Sequence, residues 1–86
     1  MKELMYQTTG TCSRFIQVVL DDDNIIHNVQ FVGGCHGNLQ GICSLVKGQK
    51  ADAVIARLKG ISCNGKPTSC PDQLSIALAK AMEKTA

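Results

Sequence analysis

The chain is 86 residues long and nearly balanced in charge, with nine Lys and Arg residues against seven Asp and Glu residues. A chain of this length forms one domain that buries about 60% of its unfolded surface, so a metal, a cross-link or a partner would help to stabilise it. The basic residues are scattered and aromatic residues are rare, which argues against a nucleic-acid-binding surface. No apolar run approaches about 18 residues, so we expect no membrane span.

Five cysteines make an odd set, and the start of the sequence lacks the apolar segment of a secretory signal. We therefore expect a cytoplasmic protein. In a reducing compartment such cysteines are more typical of metal binding or catalysis than of a disulfide framework.

The first part of the chain predicts a small antiparallel sheet. Residues 2 to 8 alternate weakly and could form an edge strand, and residues 13 to 20 are β-branched with apolar side chains on one face. The polar residues 21 to 24, Asp-Asp-Asp-Asn, predict a solvated hairpin connection to a strand at residues 25 to 32. In that strand we expect one face to carry Ile25, His27, Val29 and Phe31.

After the glycine-rich stretch Gly33-Gly34-Cys35-His36-Gly37, the apolar period changes from 2 to 3.6. Helices are predicted near residues 38 to 47, 50 to 59 and 71 to 84, and the first two end at Gly48 and Gly60. Strands followed by helices predict an α+β domain, with a three-stranded antiparallel sheet covered by helices on one face.

The third helix is predicted to begin at a cysteine. Pro71 suits a first helical turn, and Ser69 and Asp72 are spaced as an N-cap and its reciprocal acceptor. Cys70 then lies at the positive end of the helix dipole, where a thiol pKa can fall from about 8.5 toward 7 or lower. Such a thiolate can bind a metal or attack a disulfide.

The other cysteines divide into two groups. Cys12, Cys35 and Cys63 lie at glycine-marked turns, whereas Cys43 falls on the apolar stripe of a predicted helix and is expected to be a packing residue. Four loop thiols suit structural zinc or an iron-sulfur cluster, although no pair has the C-x2-C spacing. The alternative is that all are small buried hydrophobes. His36 adjoins Cys35 and is a further possible ligand.

Four motifs in order carry a family resemblance: Thr9-Gly-Thr-Cys12, Gly33-Gly-Cys35, Gly60-Ile-Ser-Cys63 and Thr68-Ser-Cys-Pro-Asp72. Together they resemble the TSCPD domain, which occurs as a small protein and near the C-terminus of vitamin B12-dependent ribonucleotide reductases. The resemblance covers nearly the whole chain and implies a single TSCPD domain over residues 1–86.

The order of elements is also similar, more distantly, to iron-sulfur scaffold proteins of the IscU and NifU type. That resemblance implies an IscU/NifU-like fold in which Cys12, Cys35 and Cys70 hold a cluster or a zinc ion. The sequence departs from the scaffold pattern at Arg14, where the scaffold has an aspartate, and at Ser69, where it has a histidine. Cys63 has no counterpart there and could supply a fourth ligand.

Three functional hypotheses follow. The first is a metal-binding carrier or accessory module that exchanges metal with a protein partner. The second, implied by the reductase resemblance, is a thiol-redox or accessory role beside a ribonucleoside-diphosphate reductase in deoxyribonucleotide synthesis. The third is an interaction module with incidental thiols. An 86-residue chain cannot hold a reductase's radical barrel and cobalamin site, so we do not expect catalysis by this chain alone. The sequence sets no oligomeric state.

Overall fold

The protein is described by a computed structural model that covers residues 1–8, 10, 13–33, 36–61 and 68–84. Three strands precede three helices, with bounds β1 Lys2–Gln7, β2 Ser13–Leu20, β3 Ile26–Gly33, α1 His36–Val46, α2 Ala51–Leu58 and α3 Cys70–Met82. The strands form one sheet in the order β1-β2-β3, and both neighbouring pairs are antiparallel. The predicted fold class is therefore confirmed. None of the helices described has the length and apolar character needed to cross a membrane.

One face of the sheet forms the core. Ile16, Val18 and Leu20 alternate along β2 and are fully buried, and the largest buried residues of α3, Leu74 and Leu78, pack in the same cluster. On the opposite face the side chains are more accessible: Phe15 and Val32, which are register partners, are 37% and 42% exposed. The helices thus cover a single face, as the period-2 pattern of β2 predicts.

The third strand contains a register shift that the alternation of the sequence does not reveal. Leu20 pairs with Ile26, but Val19 pairs with Asn28, so His27 is an extra residue in β3. The prediction that Ile25 and His27 lie on the same face of the strand as Val29 is therefore wrong. Ile26 is buried instead, and the exposed His27 imidazole lies 3.4 Å from the Asp21 carboxylate. One extra residue in a strand moves every residue beyond it to the opposite face of the sheet.

The helices run between the two ends of the sheet. One end of the sheet contains the turn between β2 and β3. There the Ala51 N–H, at the start of α2, donates to the Asn24 carbonyl oxygen at 2.9 Å. At the same end Lys84 Nζ, just beyond α3, donates to the Glu3 carbonyl oxygen at 2.7 Å. We call this the hairpin-tip end. Since α2 begins where α3 finishes, the two helices are antiparallel, and α3 begins at the opposite end of the sheet.

We call that opposite end the motif end. It contains the last residue of β1, the first of β2 and the last of β3, together with residues 60, 61 and 68 to 72. Ser13 and Gly33 are Cα partners there, and the Thr8 N–H donates to the Arg14 carbonyl oxygen at 3.0 Å. The segments that connect the strands and helices at this end contain the four cysteine motifs of the sequence.

Candidate thiol site at the start of the third helix

The start of α3 is capped as the sequence predicts. Ser69 is the N-cap in an extended conformation, and its hydroxyl accepts from the Asp72 backbone N–H at 3.2 Å. Pro71 follows Cys70 within the first helical turn. Backbone N–H groups in this turn have no acceptor within the helix, so the missing N–H of proline costs no hydrogen bond. Cys70 is the first helical residue and is partly buried. Its thiol therefore lies where the helix dipole favours negative charge.

The Asp72 carboxylate joins the segment that follows α2 to the segment that begins α3. Its Oδ2 accepts from the Thr68 hydroxyl at 2.5 Å, and its Oδ1 accepts from the Gly60 backbone N–H at 2.7 Å. The predicted reciprocal bond to the N-cap backbone is replaced by these two contacts. The Thr68 hydroxyl, followed by the Gly60 N–H, lowers the pKa of Asp72 below its ordinary value. The carboxylate is held in its ionised form, as a fixed acceptor between the two segments.

A second hydrogen bond ties the same two segments together. The buried Ser69 hydroxyl donates to the Ile61 carbonyl oxygen at 2.6 Å. Thr68 is also buried, and its hydroxyl accepts from the Gln73 side-chain amide at 2.9 Å. The start of the Gly60-Ile-Ser-Cys63 motif is thus fixed to the Thr68-Ser-Cys-Pro-Asp72 motif by side-chain oxygens. Sequence spacing shows the cap, but not this link between segments.

The Thr9-Gly-Thr-Cys12 motif meets the same residues through its glycine. Gly10 has a φ of +70°, a conformation that L side chains rarely adopt, and a Cβ on it would lie 2.9 Å from Thr68 Cγ2. The glycine is required both by its backbone conformation and by this close approach. The first and last of the four motifs are therefore in contact.

The Gly33-Gly-Cys35 motif reaches the motif end through the sheet. Gly33 is the last residue of β3, and its partner Ser13 directly follows Cys12 in the chain. Cys12, Cys35 and Cys63 themselves lie outside the described residues. Among the residues that are described, no group of three or more His, Cys, Asp or Glu side chains is positioned to hold a metal ion. The metal-ligand role expected of these cysteines therefore stays a prediction.

Cys43 has a different environment. It lies within α1, packs against the core and contacts the backbone of Phe31 in β3. Burial raises the pKa of the Cys43 thiol, which keeps it protonated and unreactive at neutral pH. The thiol also borders a pocket of about 340 Å³ between β3 and α1. The predicted position of Cys43 on the apolar side of its helix is confirmed.

Comparison with known proteins agrees with the motifs. The TSCPD domain model matches residues 3–82, which is nearly the whole chain. No curated protein and no solved structure matches the sequence, so the likeness to IscU and NifU scaffolds has no support from these comparisons. The order of the four motifs, their meeting at one end of the sheet and the extent of the match lead to the same conclusion: the chain belongs to the TSCPD domain family.

Proposed function

We propose that the chain is a small metal-binding module of the TSCPD family in which Cys12, Cys35, Cys63 and Cys70 hold a zinc ion or an iron-sulfur cluster. The observation that carries the proposal is that described residues from all four cysteine motifs lie at the motif end: Gly10, Gly33, Gly60, Ile61 and Thr68 to Asp72. The described parts of the four motifs, which together span residues 9 to 72, therefore share one region of the fold.

Chain connectivity supports a shared site. Cys12 is bonded to Ser13, whose partner Gly33 precedes Cys35 by two residues. Cys63 follows Ile61 by two residues, and Ile61 is hydrogen-bonded to Ser69, the neighbour of Cys70. Consecutive Cα atoms are about 3.8 Å apart, so each cysteine is within one or two such steps of a residue already fixed at the motif end.

The donor set fits both candidate groups. Zinc in structural sites takes four tetrahedral ligands with Zn–S near 2.3 Å, and clusters of both common iron-sulfur types use four thiolates. The N-terminus of α3 favours the negative charge that these thiolates bring. When bound, such a group would cross-link four segments of a domain too small to have a large core. His36, which begins α1, is an alternative fourth ligand.

As a carrier or accessory protein, the module would exchange metal with a protein partner, either a metal donor or acceptor or a reductase. A thiol-redox role beside a ribonucleotide reductase uses the same cysteines without metal, and it becomes the favoured function if no metal is found. In both cases the chain supplies thiols and does not itself catalyse nucleotide reduction.

The test is metal and sulfide analysis, with an absorption spectrum, on protein purified without oxygen. Stoichiometric zinc without colour, or iron and sulfide with visible charge-transfer bands, is the expected result. Cys70→Ser should remove most of the bound metal, and Cys43→Ala, a matched loss of one thiol that packs against the core, should not. Metal-free wild-type protein, or metal retained in Cys70→Ser and lost in Cys43→Ala, would contradict the proposal.

A further inference from the structure

We propose that the groove between α1 and α2 is a docking site for an acidic, amphipathic helix of a partner protein. Apolar side chains of that helix fill the groove, and one of its carboxylates pairs with Arg57. The groove is lined by no cysteine, so the inference does not depend on the proposed metal function.

The groove exists because the two helices pack against different elements. α1 packs mainly against β3, whereas α2 packs mainly against α3, and a pocket of about 480 Å³ lies between α1 and α2. Its apolar lining is formed by Ile42, Leu45, Val46, Val54 and Leu58. Val46 and Val54 are buried, whereas Leu45 is 77% exposed, more than any other large apolar residue of the described chain. An open apolar groove of this kind suits the side chains of a protein partner better than an enclosed small ligand.

The charges of the two helices and their connections are mostly positive. Residues 36 to 60 contain four basic residues and one acidic residue, so they carry a formal charge of +3, whereas the whole chain carries +2. Arg57 lines the groove and is exposed, and no carboxylate of the described chain is paired with it. The acidic residue, Asp52, does not line the groove, and its Oδ1 accepts from the Ala53 N–H at 2.8 Å. A partner with carboxylates beside its apolar residues complements this surface.

The length of the groove indicates a helix as the occupant. α1 has 11 residues and α2 has eight, so the walls of the groove are about 12 to 16 Å long. Positions i and i+7 of a helix are about 10 Å apart along its axis, so three apolar anchors at i, i+3 and i+7 fit this length. A groove this short buries less surface than a permanent complex does, and we therefore expect a transient partner.

Two other occupants fit the surface less well. A symmetric dimer through this groove would bring two Arg57 side chains and two positively charged helix pairs together, and like charges across an interface oppose binding. An anionic membrane would meet a concave surface whose buried residues, Val46 and Val54, cannot reach the lipid. Both occupants are outcomes of the test.

The test uses two synthetic peptides of about 18 residues, a length that can support an isolated helix. Both have leucines at i, i+3 and i+7, and the flanking polar positions are Glu in one peptide and Lys in the other. Arg57→Glu reverses the charge in the groove. Lys59→Glu is its matched control, because Lys59 is exposed at the end of the same helix but does not line the groove.

A second pair of variants tests the apolar contact. Leu45→Ser removes the exposed apolar side chain at the groove, and Val32→Ser, its control, removes an exposed apolar side chain from β3. Circular dichroism checks that all four variants fold. Peptide affinity is measured by fluorescence anisotropy, and the binding surface is mapped by amide chemical shifts of the isotope-labelled protein.

We expect the wild type to bind the Glu peptide at least about tenfold more tightly than the Lys peptide, with shift changes in α1 and α2 and with affinity that falls as salt is added. Arg57→Glu should abolish or reverse this preference. Leu45→Ser should weaken binding of the Glu peptide about tenfold, because an anchor contact at the groove is lost. Lys59→Glu and Val32→Ser should stay within about threefold of the wild type.

Three results would overturn the inference: no binding of the Glu peptide at about 1 mM, equal binding of the two peptides, or shift changes confined to the outer face of the sheet. A wild-type dimer in sedimentation that dissociates in Leu45→Ser would assign the groove to a second copy of the chain instead. Co-sedimentation with phosphatidylserine-containing vesicles that is lost in Leu45→Ser, without peptide binding, would assign it to a membrane.

Discussion

The two ends of the sheet are closed by different kinds of hydrogen bond. At the hairpin-tip end most of the bonds are backbone to backbone: Ile26 N–H to the Gln49 oxygen at 2.9 Å, Gly48 N–H to the Ile26 oxygen at 2.8 Å, and Ala51 N–H to the Asn24 oxygen at 2.9 Å. At the motif end, the side chains of Thr68, Ser69 and Asp72 make the connections. These backbone bonds need no particular side chain, whereas the connections at the motif end do.

Each end also contains an aspartate that accepts two hydrogen bonds. Asp21 Oδ1 accepts from the N–H groups of Asp23 and Ile25 in its own turn, both at 2.9 Å. Asp72 instead bonds Gly60, twelve residues away. The same chemical group therefore shapes a local turn in one place and joins remote segments in the other. Substitutions at the two ends and in the core between them test this difference.

The largest stability effect is expected at Gly10. Gly10→Ala forces a side chain into a positive φ and against Thr68 Cγ2, and we expect it to lower the free energy of unfolding by more than about 2 kcal/mol. Gly48→Ala is the matched control at the other end, since Gly48 has a φ of +86° but open space around it. It should cost only the conformational part, about 1–2 kcal/mol. Equal costs in denaturant unfolding would contradict the contact between Gly10 and Thr68.

Thr68→Val comes next. The substitution keeps the shape of a buried side chain but removes the donor to Asp72 and the acceptor of the Gln73 amide. We expect a loss of about 1–3 kcal/mol in unfolding free energy. Thr68→Ser, which keeps the hydroxyl, should retain more of the stability. If Val were tolerated better than Ser, packing rather than hydrogen bonding would hold this end together.

Cys43→Ala should have a smaller effect. Cys43 is partly buried and packs against the core, so losing its sulfur should cost on the order of 1 kcal/mol in unfolding free energy. The metal content should be unchanged, because Cys43 packs against the core from within α1. Loss of metal in this variant, with metal kept in Cys70→Ser, would reverse the division of the thiols.

The smallest effect is expected in how the free energy of unfolding changes with acid, through Asp21 at the hairpin tip. The Ile25 N–H, with the Asp23 N–H and His27, lowers the pKa of Asp21 below its ordinary value. A carboxylate whose pKa is lowered in the folded state stabilises the fold at pH values above its unfolded pKa of about 3.9. This stabilisation is lost as the pH falls through the pKa of the folded state. Asp21→Asn should therefore show a weaker decline in stability below about pH 4 than the wild type. Asp22→Asn, in the same turn, is the control, and an equal flattening there would contradict the assignment.

The sequence predicted those features whose cause is local. Residues 13 to 20 alternate because one face of the strand is buried, and the Ser69 N-cap depends only on Ser69 and Asp72, three positions apart. Both predictions are confirmed. The shift at His27 was missed because one extra residue leaves an apolar pair, Ile25 and Ile26, that fits either face. The bridge from Asp72 to Gly60 was missed because it depends on the antiparallel packing of α2 and α3, which no spacing reveals.

The candidate site was predictable in part for the same reason. Glycines beside cysteines indicate turns, and the strand order brings Ser13 beside Gly33, so a common end for Cys12 and Cys35 follows from pairing alone. The position of α3 does not follow from pairing. It is set by Gly10 against Thr68 and by the core packing of Leu74 and Leu78, which are tertiary contacts.

X-ray absorption at the metal edge of the anaerobically purified protein tests the central claim, a shared thiolate site at the motif end, most directly. The account predicts stoichiometric zinc with a sulfur-dominated shell near 2.3 Å, or iron with sulfur neighbours, which is lost in Cys70→Ser and kept in Cys43→Ala. A protein without stoichiometric metal, or a metal surrounded only by nitrogen and oxygen, would contradict it.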